Sequence, residues 1–225
     1  MSQPSQGNPD KVESGSGAAI KSASPEYKIG VYGGSFDPVH LGHLRSALEV
    51  MQIKNLHQLR FLPSGNPPHR APAQAADKHR LRMLQLAVQG EERICIDTRE
   101  LEREDTSYTI DTLQSVQADY PHADLTLIIG MDQFSAFDTW HRWQELLQRV
   151  ELVVMERPGE TMSDSARKMI DSPLQQRITV VRVTQMEISS SRIRQDLQAG
   201  LDIRFLVPYA VHNYIRTESL YSTVE

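Results

Sequence analysis

Two histidines follow a pair of glycines in the segment GVYGGSFDPVHLGH, which spans residues 30–43. His40 and His43 are three positions apart, so on a first helical turn they would point to one side. Gly33 and Gly34 come at the end of an apolar run, where the lack of a Cβ lets backbone N–H groups approach a ligand. The start of the next helix adds unpaired N–H donors and a partial positive charge. This combination predicts an anion site at a strand-to-helix turn.

Three interpretations of the histidine pair compete. A zinc site would need a third ligand and a carboxylate base, but H-E-x-x-H is absent and the only cysteine, Cys95, is remote in sequence. An ordinary polar surface is the usual fate of a lone histidine. Phosphate binding would use imidazole N–H donors where negative charge develops, and we favour it. The segment matches neither G-x-G-x-x-G nor a G-K-[ST] phosphate loop.

A second cluster of phosphate-binding residue types lies near the other end of the chain. Ser189, Ser190 and Ser191 precede a helical pattern and could cap that helix or bind phosphate oxygens. Arg192 and Arg194 add positive charge, and arginine offers two parallel hydrogen bonds to phosphate. Alone, this cluster would indicate only a serine cap beside surface arginines. Together with the first anion site, it indicates a second phosphate-binding element.

Composition excludes several classes of protein. The 225 residues carry a net charge of −5, which argues against a general nucleic-acid binder. No apolar run is long enough to cross a membrane. A single cysteine cannot form an internal disulfide, which fits a reducing, cytoplasmic setting. These features favour a soluble globular protein and do not exclude a small anionic ligand held by a local cluster.

Short apolar runs alternate with helical patterns along most of the chain. The predicted strands cover residues 27–32, 58–62, 93–97, 125–129, 151–155 and 178–183. The predicted helices cover residues 41–53, 77–89, 108–118, 140–149, 163–171 and 189–198, and a last helix begins at Pro208. Such alternation predicts an α/β, Rossmann-like, doubly wound parallel sheet with helices on both faces. Residues 1–26 are rich in Ser, Gly, Gln and Pro, so we expect a disordered tail there and a single domain over 27–225.

Ligands of parallel α/β sheets bind beyond the carboxyl ends of the strands. Trp140 could stack on a flat heteroaromatic ring, although a tryptophan more often packs in a core. Tyr108 and Thr109 begin a predicted helix, where N–H groups could bind a carboxylate or merely form an ordinary cap. Asp132 follows the fourth strand and could accept ribose hydroxyls or cap a helix. The Pro-rich loop 66–70 could contact a mononucleotide or be ordinary surface.

The two phosphate-binding segments carry a resemblance. GGSFDPVHLGH (residues 33–43) resembles the G-x-F-D-P-x-H-x-G-H signature of the nucleotidylyltransferase superfamily, and ISSSRIR (residues 188–194) resembles its second signature, I-S-[ST]-[ST]-x-I-R. Members of that superfamily join a nucleoside triphosphate to a phosphate-bearing acceptor and release pyrophosphate. Both signatures occur in the expected order, which makes the resemblance specific.

Four stretches between these signatures resemble the bacterial nicotinate-nucleotide adenylyltransferases: NPPHR (66–70), SYT (107–109), IGMD (129–132) with TW downstream (139–140), and ERPG (156–159). The resemblance runs from about residue 27 to the C-terminus. It implies that ATP and nicotinate mononucleotide form nicotinate adenine dinucleotide, the deamido precursor of NAD, with Mg²⁺ on the triphosphate. Another acceptor, such as nicotinamide mononucleotide or phosphopantetheine, remains an alternative, as does a nucleotide-binding regulator without turnover. Oligomeric state is undecided.

The resemblance also implies roles for individual residues. The implied catalytic residues are His40, His43 and Arg194. The implied ATP-binding residues are Gly33, Gly34, Ser35, Phe36, His40, His43, Gly130, Asp132, Arg157, Ile188, Ser189, Ser190, Ser191 and Arg194. The implied residues of the mononucleotide site are Gly34, Ser35, His69, Arg70, Tyr108, Thr109 and Trp140, with Trp140 stacked on the nicotinate ring. No protein ligand to the metal is implied.

Overall fold

The computed structural model describes residues 27–65, 73–156, 162–184 and 186–222. Within them, the strands are β1 (Lys28–Gly34), β2 (Gln58–Pro63), β3 (Ile94–Ile96), β4 (Asp124–Gly130), β5 (Glu151–Glu156) and β6 (Ile178–Arg182). The helices in the same ranges are α1 (Leu41–Ile53), α2 (Asp77–Ala87), α3 (Thr109–Asp119), α4 (Met131–Phe134), α5 (Trp143–Arg149), α6 (Asp164–Ile170), α7 (Ser190–Gln198) and α8 (Tyr209–Thr217). Short 3₁₀ turns cover Phe137–Thr139 and Pro173–Arg177. The predicted tail, and His69, Arg70 and Arg157, lie outside the described residues.

The strands form one parallel sheet in the order β3-β2-β1-β4-β5-β6. Strand order reverses between β1 and β4, so the connections after these two strands leave in opposite directions. Their carboxyl ends therefore open a crevice, the place where doubly wound sheets bind ligands. The predicted α/β, Rossmann-like fold is confirmed.

Side chains alternate across the central strands and bury an apolar layer on each face of the sheet. On β1, Ile29 and Val31 join one buried cluster while Tyr32 joins the other. A Cβ at Gly30 would come within 2.5 Å of Leu56, so the strand tolerates no side chain at that position. Fully burying a Val, Leu or Ile side chain contributes about 1.5–3 kcal/mol, so both layers hold the helices firmly on the sheet.

Two local predictions along the chain were wrong. The helix expected over residues 140–149 begins only at Trp143, because the chain first makes the 3₁₀ turn and then places Arg142 in the left-handed region with φ of 54°. Trp140 is left in an extended conformation between these elements. The short helix α4 directly after β4 was not predicted, since four residues are too few to show a helical period.

No helix in the described part of the chain is long and apolar enough to span a membrane.

Candidate active site

His40 and His43 are locked together at the start of α1. The Nδ1 atom of His40 accepts the backbone N–H of His43, and Nδ1 of His43 accepts the backbone N–H of His40, both at 3.3 Å. The two rings stack with centroids 3.6 Å apart. Each Nδ1 must therefore offer a lone pair, which leaves the proton of the neutral ring on Nε2. The pair supplies two oriented Nε2–H donors at a helix N-terminus.

Two neighbouring residues, Gly42 and Phe36, help to position these rings. A Cβ at Gly42 would come within 3.0 Å of Nδ1 of His40, so glycine leaves room for the imidazole. Phe36 is 1% exposed, and its ring meets that of His43 edge-on at 5.2 Å. Its φ of 48° is in the left-handed region, a costly conformation that functional turns often retain. Phe36, which was expected to bind ATP, thus packs against the ring of His43 and helps to hold it in place.

The glycine pair leads into this turn without unusual backbone angles, since neither Gly33 nor Gly34 has a positive φ. A Cβ at Gly33 would meet nothing within 4 Å, so the glycine faces open space. A Cβ at Gly34 would come within 3.0 Å of the Phe36 ring. Glycine at position 34 therefore leaves room for Phe36, whereas position 33 borders open space.

The start of α7 packs against the same turn. Ser189 caps the helix by accepting the backbone N–H of Arg192, and the Ser190 hydroxyl donates to the carbonyl of Pro38 at 2.9 Å. Arg194 donates from Nη1 to the carbonyl of Asp37 at 2.7 Å. The fold thus brings the second predicted phosphate-binding segment beside the first, across about 150 residues of sequence.

Three further residues predicted to contact a substrate lie in this region: Ser35, Ser191 and Ile188. The carbonyl of Ser35 accepts a hydrogen bond from Arg80, and the hydroxyl of Ser191 accepts one from Arg194 at 3.3 Å. The carbonyl of Ile188 lies 3.7 Å from the position that a Gly42 Cβ would occupy. These contacts place Ser35 against Arg80, Ser191 against Arg194, and Ile188 near Gly42 of the histidine turn.

A cavity of about 280 Å³ opens at the carboxyl ends of β1, β2 and β4. Its lining residues are Gly33, Gly34, Leu62, Ser64, Glu100, Ser107, Tyr108, Thr109, Leu127, Ile129, Asp132, Gln133, Ala136, Thr139, Trp140 and His141. Gly33 and Gly34 line this cavity and also lead into the histidine turn. The cavity and the residues predicted to bind phosphate therefore lie at the same end of β1.

Aromatic side chains form one wall of this cavity. Trp140 is partly exposed and packs on the buried Phe137, with ring centroids 5.2 Å apart. The ring of His141, a residue not predicted from the sequence, packs against that of Tyr108 at a tilt of 36°, with centroids 4.4 Å apart. The N-cap residue of α3, Tyr108, makes no side-chain cap hydrogen bond to the described part of the chain, so the leading N–H groups of this helix can face a carboxylate.

Two buried polar residues line the cavity without a role assigned from sequence: Glu100 was missed, and Ser107 was noted only as part of the SYT stretch. Glu100 is 7% exposed; it accepts the Thr112 hydroxyl at 2.8 Å, and burial raises the pKa of its carboxyl. The hydroxyl of Ser107 is buried and has no hydrogen-bond partner among the described residues. Ser107 could have been suspected from its place before Tyr108, whereas nothing local distinguishes Glu100 from the acidic residues around it.

Asp132 is exposed at the cavity rim, in the first turn of α4. A Cβ at Gly130 would lie 2.5 Å from Oδ1 of Asp132, so Gly130 lets this carboxylate fold back over the end of β4. The side chain of Gln133 accepts the backbone N–H of Gly130 at 3.3 Å. The carboxylate of Asp132 is left facing the cavity, where it can accept ribose hydroxyls.

The described residues contain no group of three or more His, Cys, Asp or Glu side chains that could hold a metal ion. The histidine turn and the start of α7 instead present donors, the chemistry that suits phosphate oxygens.

Comparisons with known proteins agree with this geometry. Residues 31–196 match the cytidylyltransferase-like family. A Pseudomonas putida (strain W619) protein named "Probable nicotinate-nucleotide adenylyltransferase" is 45% identical over 86% of this chain and 94% of its own. A protein of the same name from Pseudomonas aeruginosa (strain UCBPP-PA14) is 44% identical over 86% of this chain and 97% of its own.

Solved structures share the fold. The Plasmodium falciparum nicotinic acid mononucleotide adenylyltransferase complexed with NaAD superposes with a TM-score of 0.72, at 20% identity, over 87% of this chain and 97% of that one. The same protein complexed with APC gives a TM-score of 0.70 over the same shares of both chains, again at 20% identity. The resemblance carried by the two signatures is confirmed, and the chain belongs to the nicotinate-nucleotide adenylyltransferases within the cytidylyltransferase-like family.

Proposed function

We propose that this protein transfers the adenylyl group of ATP to nicotinate mononucleotide, forming nicotinate adenine dinucleotide and pyrophosphate. One observation carries the proposal. The end of β1 leads on one side to the donors of the histidine turn and α7, and on the other to an aromatic-walled cavity of about 280 Å³. A triphosphate and a flat-ringed acceptor can therefore meet at Gly33 and Gly34.

The reaction needs no covalent intermediate on the protein. An ionised oxygen of the acceptor's 5′-phosphate attacks the α-phosphorus of ATP and forms a new P–O bond. The bond from the α-phosphorus to the oxygen that bridges to the β-phosphorus breaks, and its electron pair leaves with pyrophosphate. No proton has to be removed from the nucleophile, so catalysis consists of positioning and charge stabilisation.

The hydrogen-bond donors of the histidine turn and those of α7 are assigned to different phosphates of ATP. His40 and His43 direct Nε2–H donors at the α-phosphate, where negative charge develops as the bond breaks. Ser190, Ser191 and Arg194 hold the β- and γ-phosphates, the part that becomes the leaving pyrophosphate. Arg157, whose placement is not described, is assigned to the adenine on the family resemblance alone.

The cavity recognises the acceptor. The uncapped N-terminus of α3 offers its N–H groups and partial positive charge to the nicotinate carboxylate, near Tyr108 and Thr109. Trp140 stacks on the pyridine ring. Asp132, at the cavity rim, is assigned instead to the ribose hydroxyls of ATP. His69 and Arg70 complete the assignment of the acceptor site from the family resemblance. An uncharged amide in place of the carboxylate would gain less from the helix terminus.

Nucleotidyltransferases of this family generally use a divalent metal. We assign Mg²⁺ to the substrate, because the described residues offer no carboxylate cluster and Mg²⁺ binds readily through phosphate oxygens and water. A reducing, cytoplasmic setting belongs to the same proposal, since Cys95 is the only cysteine of the sequence.

Pyrophosphate release tests the proposed function. The purified protein is incubated with ATP and Mg²⁺ and, in parallel, with nicotinate mononucleotide, nicotinamide mononucleotide or phosphopantetheine. We expect release mainly with nicotinate mononucleotide. Release mainly with another acceptor would overturn the substrate assignment, and ATP binding without release from any acceptor would favour a regulator.

The variant His43→Ala separates chemistry from binding in the same assay. Losing one donor to the developing charge is expected to lower kcat about a hundredfold or more. A folded variant with wild-type turnover would contradict the role of His43.

A further inference from the structure

Asp37 joins four separate segments of the chain behind the histidine turn. Its side chain is only 4% exposed. One carboxylate oxygen accepts the backbone N–H of Gln74 at 2.7 Å, and the other accepts those of Ala75 at 3.1 Å and the phenol of Tyr221 at 2.7 Å. The backbone of Asp37 meanwhile accepts Arg194. A single buried carboxylate thus links the turn, the segment before α2, the start of α7 and the C-terminal segment.

Arg194 is the member of this group that we have assigned to the triphosphate. Its Nη1 atom donates to the Asp37 carbonyl at 2.7 Å and lies 3.8 Å from Oδ2 of the same residue. Its Nη2 atom reaches the Ser191 hydroxyl, and its Nε is buried without a hydrogen-bond partner among the described residues. The position of the guanidinium therefore depends on Asp37 more than on any other residue described.

Tyr221 reaches this site from the end of the chain. The backbone N–H of Leu220 bonds to the carbonyl of Ile215 at 3.0 Å, and Leu220 and Tyr221 pack against the buried cluster beside α8. Burial, followed by the hydrogen bond to Asp37, raises the pKa of the Tyr221 phenol well above its usual range. The phenol therefore keeps its proton at neutral pH and acts as a donor.

We propose that Tyr221 is a positioning residue for adenylyl transfer, which acts by holding the Asp37 carboxylate and, through Asp37, the guanidinium of Arg194. The inference rests on the proposed function in assigning Arg194 to the triphosphate. Tyr221 bonds to Asp37 and does not line the cavity, so its contribution is to leave Arg194 available to phosphate oxygens.

The physical reason is competition for the carboxylate of Asp37. This buried charge now receives two backbone N–H groups and one phenol O–H. Without the phenol, one lone-pair site of a buried carboxylate loses its donor, which is costly. Among the described residues, the cation nearest to this carboxylate is that of Arg194, already 3.8 Å away. Closing that distance would restore the hydrogen bond and withdraw the guanidinium from the triphosphate.

The variant Tyr221→Phe removes only the hydroxyl and keeps the ring in its packing. We expect the Kd for Mg²⁺-ATP, measured by titration calorimetry, to rise about fivefold, because part of a charge-assisted hydrogen bond is transmitted to Arg194. The KM for nicotinate mononucleotide and the Tm should remain near the wild-type values. Equal losses for both substrates, or an unchanged ATP Kd, would overturn the proposal.

Tyr214→Phe is a matched control. Tyr214 lies on α8, packs against the same buried cluster, and bonds through its hydroxyl to His79 at 2.9 Å rather than to Asp37. The control should leave ATP binding unchanged. If the ATP Kd rises fivefold in both variants, the effect does not depend on the contact with Asp37. That result would overturn the specific role of Tyr221.

A double-mutant cycle with Arg194→Ala tests the path of the effect. If Tyr221 acts through Arg194, Tyr221→Phe should change the ATP Kd little in the Arg194→Ala background. An undiminished fivefold effect there would overturn the proposal. Pyrophosphate release by the wild type separates the two hypotheses. Normal release with no Tyr221 effect rejects this inference alone, ATP binding without release rejects the proposed transfer alone, and no ATP binding by the wild type rejects both.

Discussion

The chemistry of the site depends on which nitrogen atoms of His40 and His43 already accept hydrogen bonds from the backbone. In both histidines Nδ1 accepts a backbone N–H, so contact with a substrate would be made through Nε2. This arrangement requires the rings to stack closely, and the stacking in turn requires a residue without a side chain at position 42. The glycine of the first signature is thus explained by room for His40.

Gly42→Ala should separate activity from stability. Alanine in a helix is about 1 kcal/mol more favourable than glycine, which offsets part of the crowding. The added methyl group would press on His40 at about 3.0 Å and tilt its ring. We expect kcat to fall at least about tenfold, as for a displaced donor, while the Tm changes by only a few degrees. Wild-type kcat in this variant would contradict the need for close packing of the two rings.

Trp140→Ala should weaken binding of nicotinate mononucleotide more than binding of ATP. Stacking of an aromatic ring contributes about 0.5–1.5 kcal/mol, so a KM increase of about threefold to tenfold is expected. Trp143→Ala is the control, because Trp143 also packs on Phe137 but does not line the cavity. Equal weakening of both substrates by Trp140→Ala would contradict stacking on the acceptor.

At the scale of elements, the site depends on how α2 is tied to two strand ends. Arg80 of α2 is 1% exposed and donates to the carbonyls of Ser35 and Ser64, each at 2.7 Å. It also pairs with Asp77 at 2.7 Å. A guanidinium can bridge two carbonyls that an ammonium cannot reach together, so arginine and lysine are not equivalent here.

Arg80→Lys should therefore destabilise the protein even though it keeps the charge. Loss of one bridging hydrogen bond in a buried site is expected to cost about 1–3 kcal/mol, measurable by urea denaturation. Arg82→Lys serves as the control because Arg82 is exposed on the same helix. Equal stability of the two variants would show that the loop after β1 does not depend on this bridge.

At the scale of the whole molecule, the edge of the sheet is held by a buried charge cluster. Asp97 follows β3 and pairs with Arg60 of β2 at 3.0 Å and with Arg99 at 2.7 Å. Burial alone would raise the pKa of Asp97, but the hydrogen bond from Arg99 and the charges of both arginines outweigh burial and lower it. The ionised carboxylate therefore stabilises the folded state.

The contribution of Asp97 to stability should depend on pH. A carboxyl group whose pKa is lowered by folding stabilises fully above its unfolded pKa of about 3.9, and loses this effect as the pH falls through the folded pKa. Asp97→Asn is expected to reduce the free energy of unfolding by about 2–3 kcal/mol at pH 7, and by less below pH about 3.

Asp119→Asn is the matched control for that measurement. Asp119 also pairs with Arg99, but its side chain is 60% exposed against 5% for Asp97, so its loss should cost under about 1 kcal/mol. A pH-independent cost of Asp97→Asn would assign its effect to packing instead of charge.

The sequence by itself determined the class of fold, the strands and the two signature segments that carry the family resemblance. These features are local: apolar periodicity shows within a dozen residues, and α1 begins and ends where its pattern predicts, at Leu41 and Ile53. The glycine and histidine spacing likewise reports on one turn. The family assignment followed because two such local signatures occur in order.

Only the tertiary structure decided which distant residues meet. Arg194 reaches Asp37 across 157 residues and Tyr221 reaches it across 184, and no periodicity in the sequence encodes such contacts. Trp140 lies outside its predicted helix because Arg142, two positions later, adopts a left-handed backbone conformation. Glu100 became part of the cavity because the sheet buries it. Contacts of this kind arise when helices pack on a twisted sheet, so they depend on the whole fold rather than on neighbours in sequence.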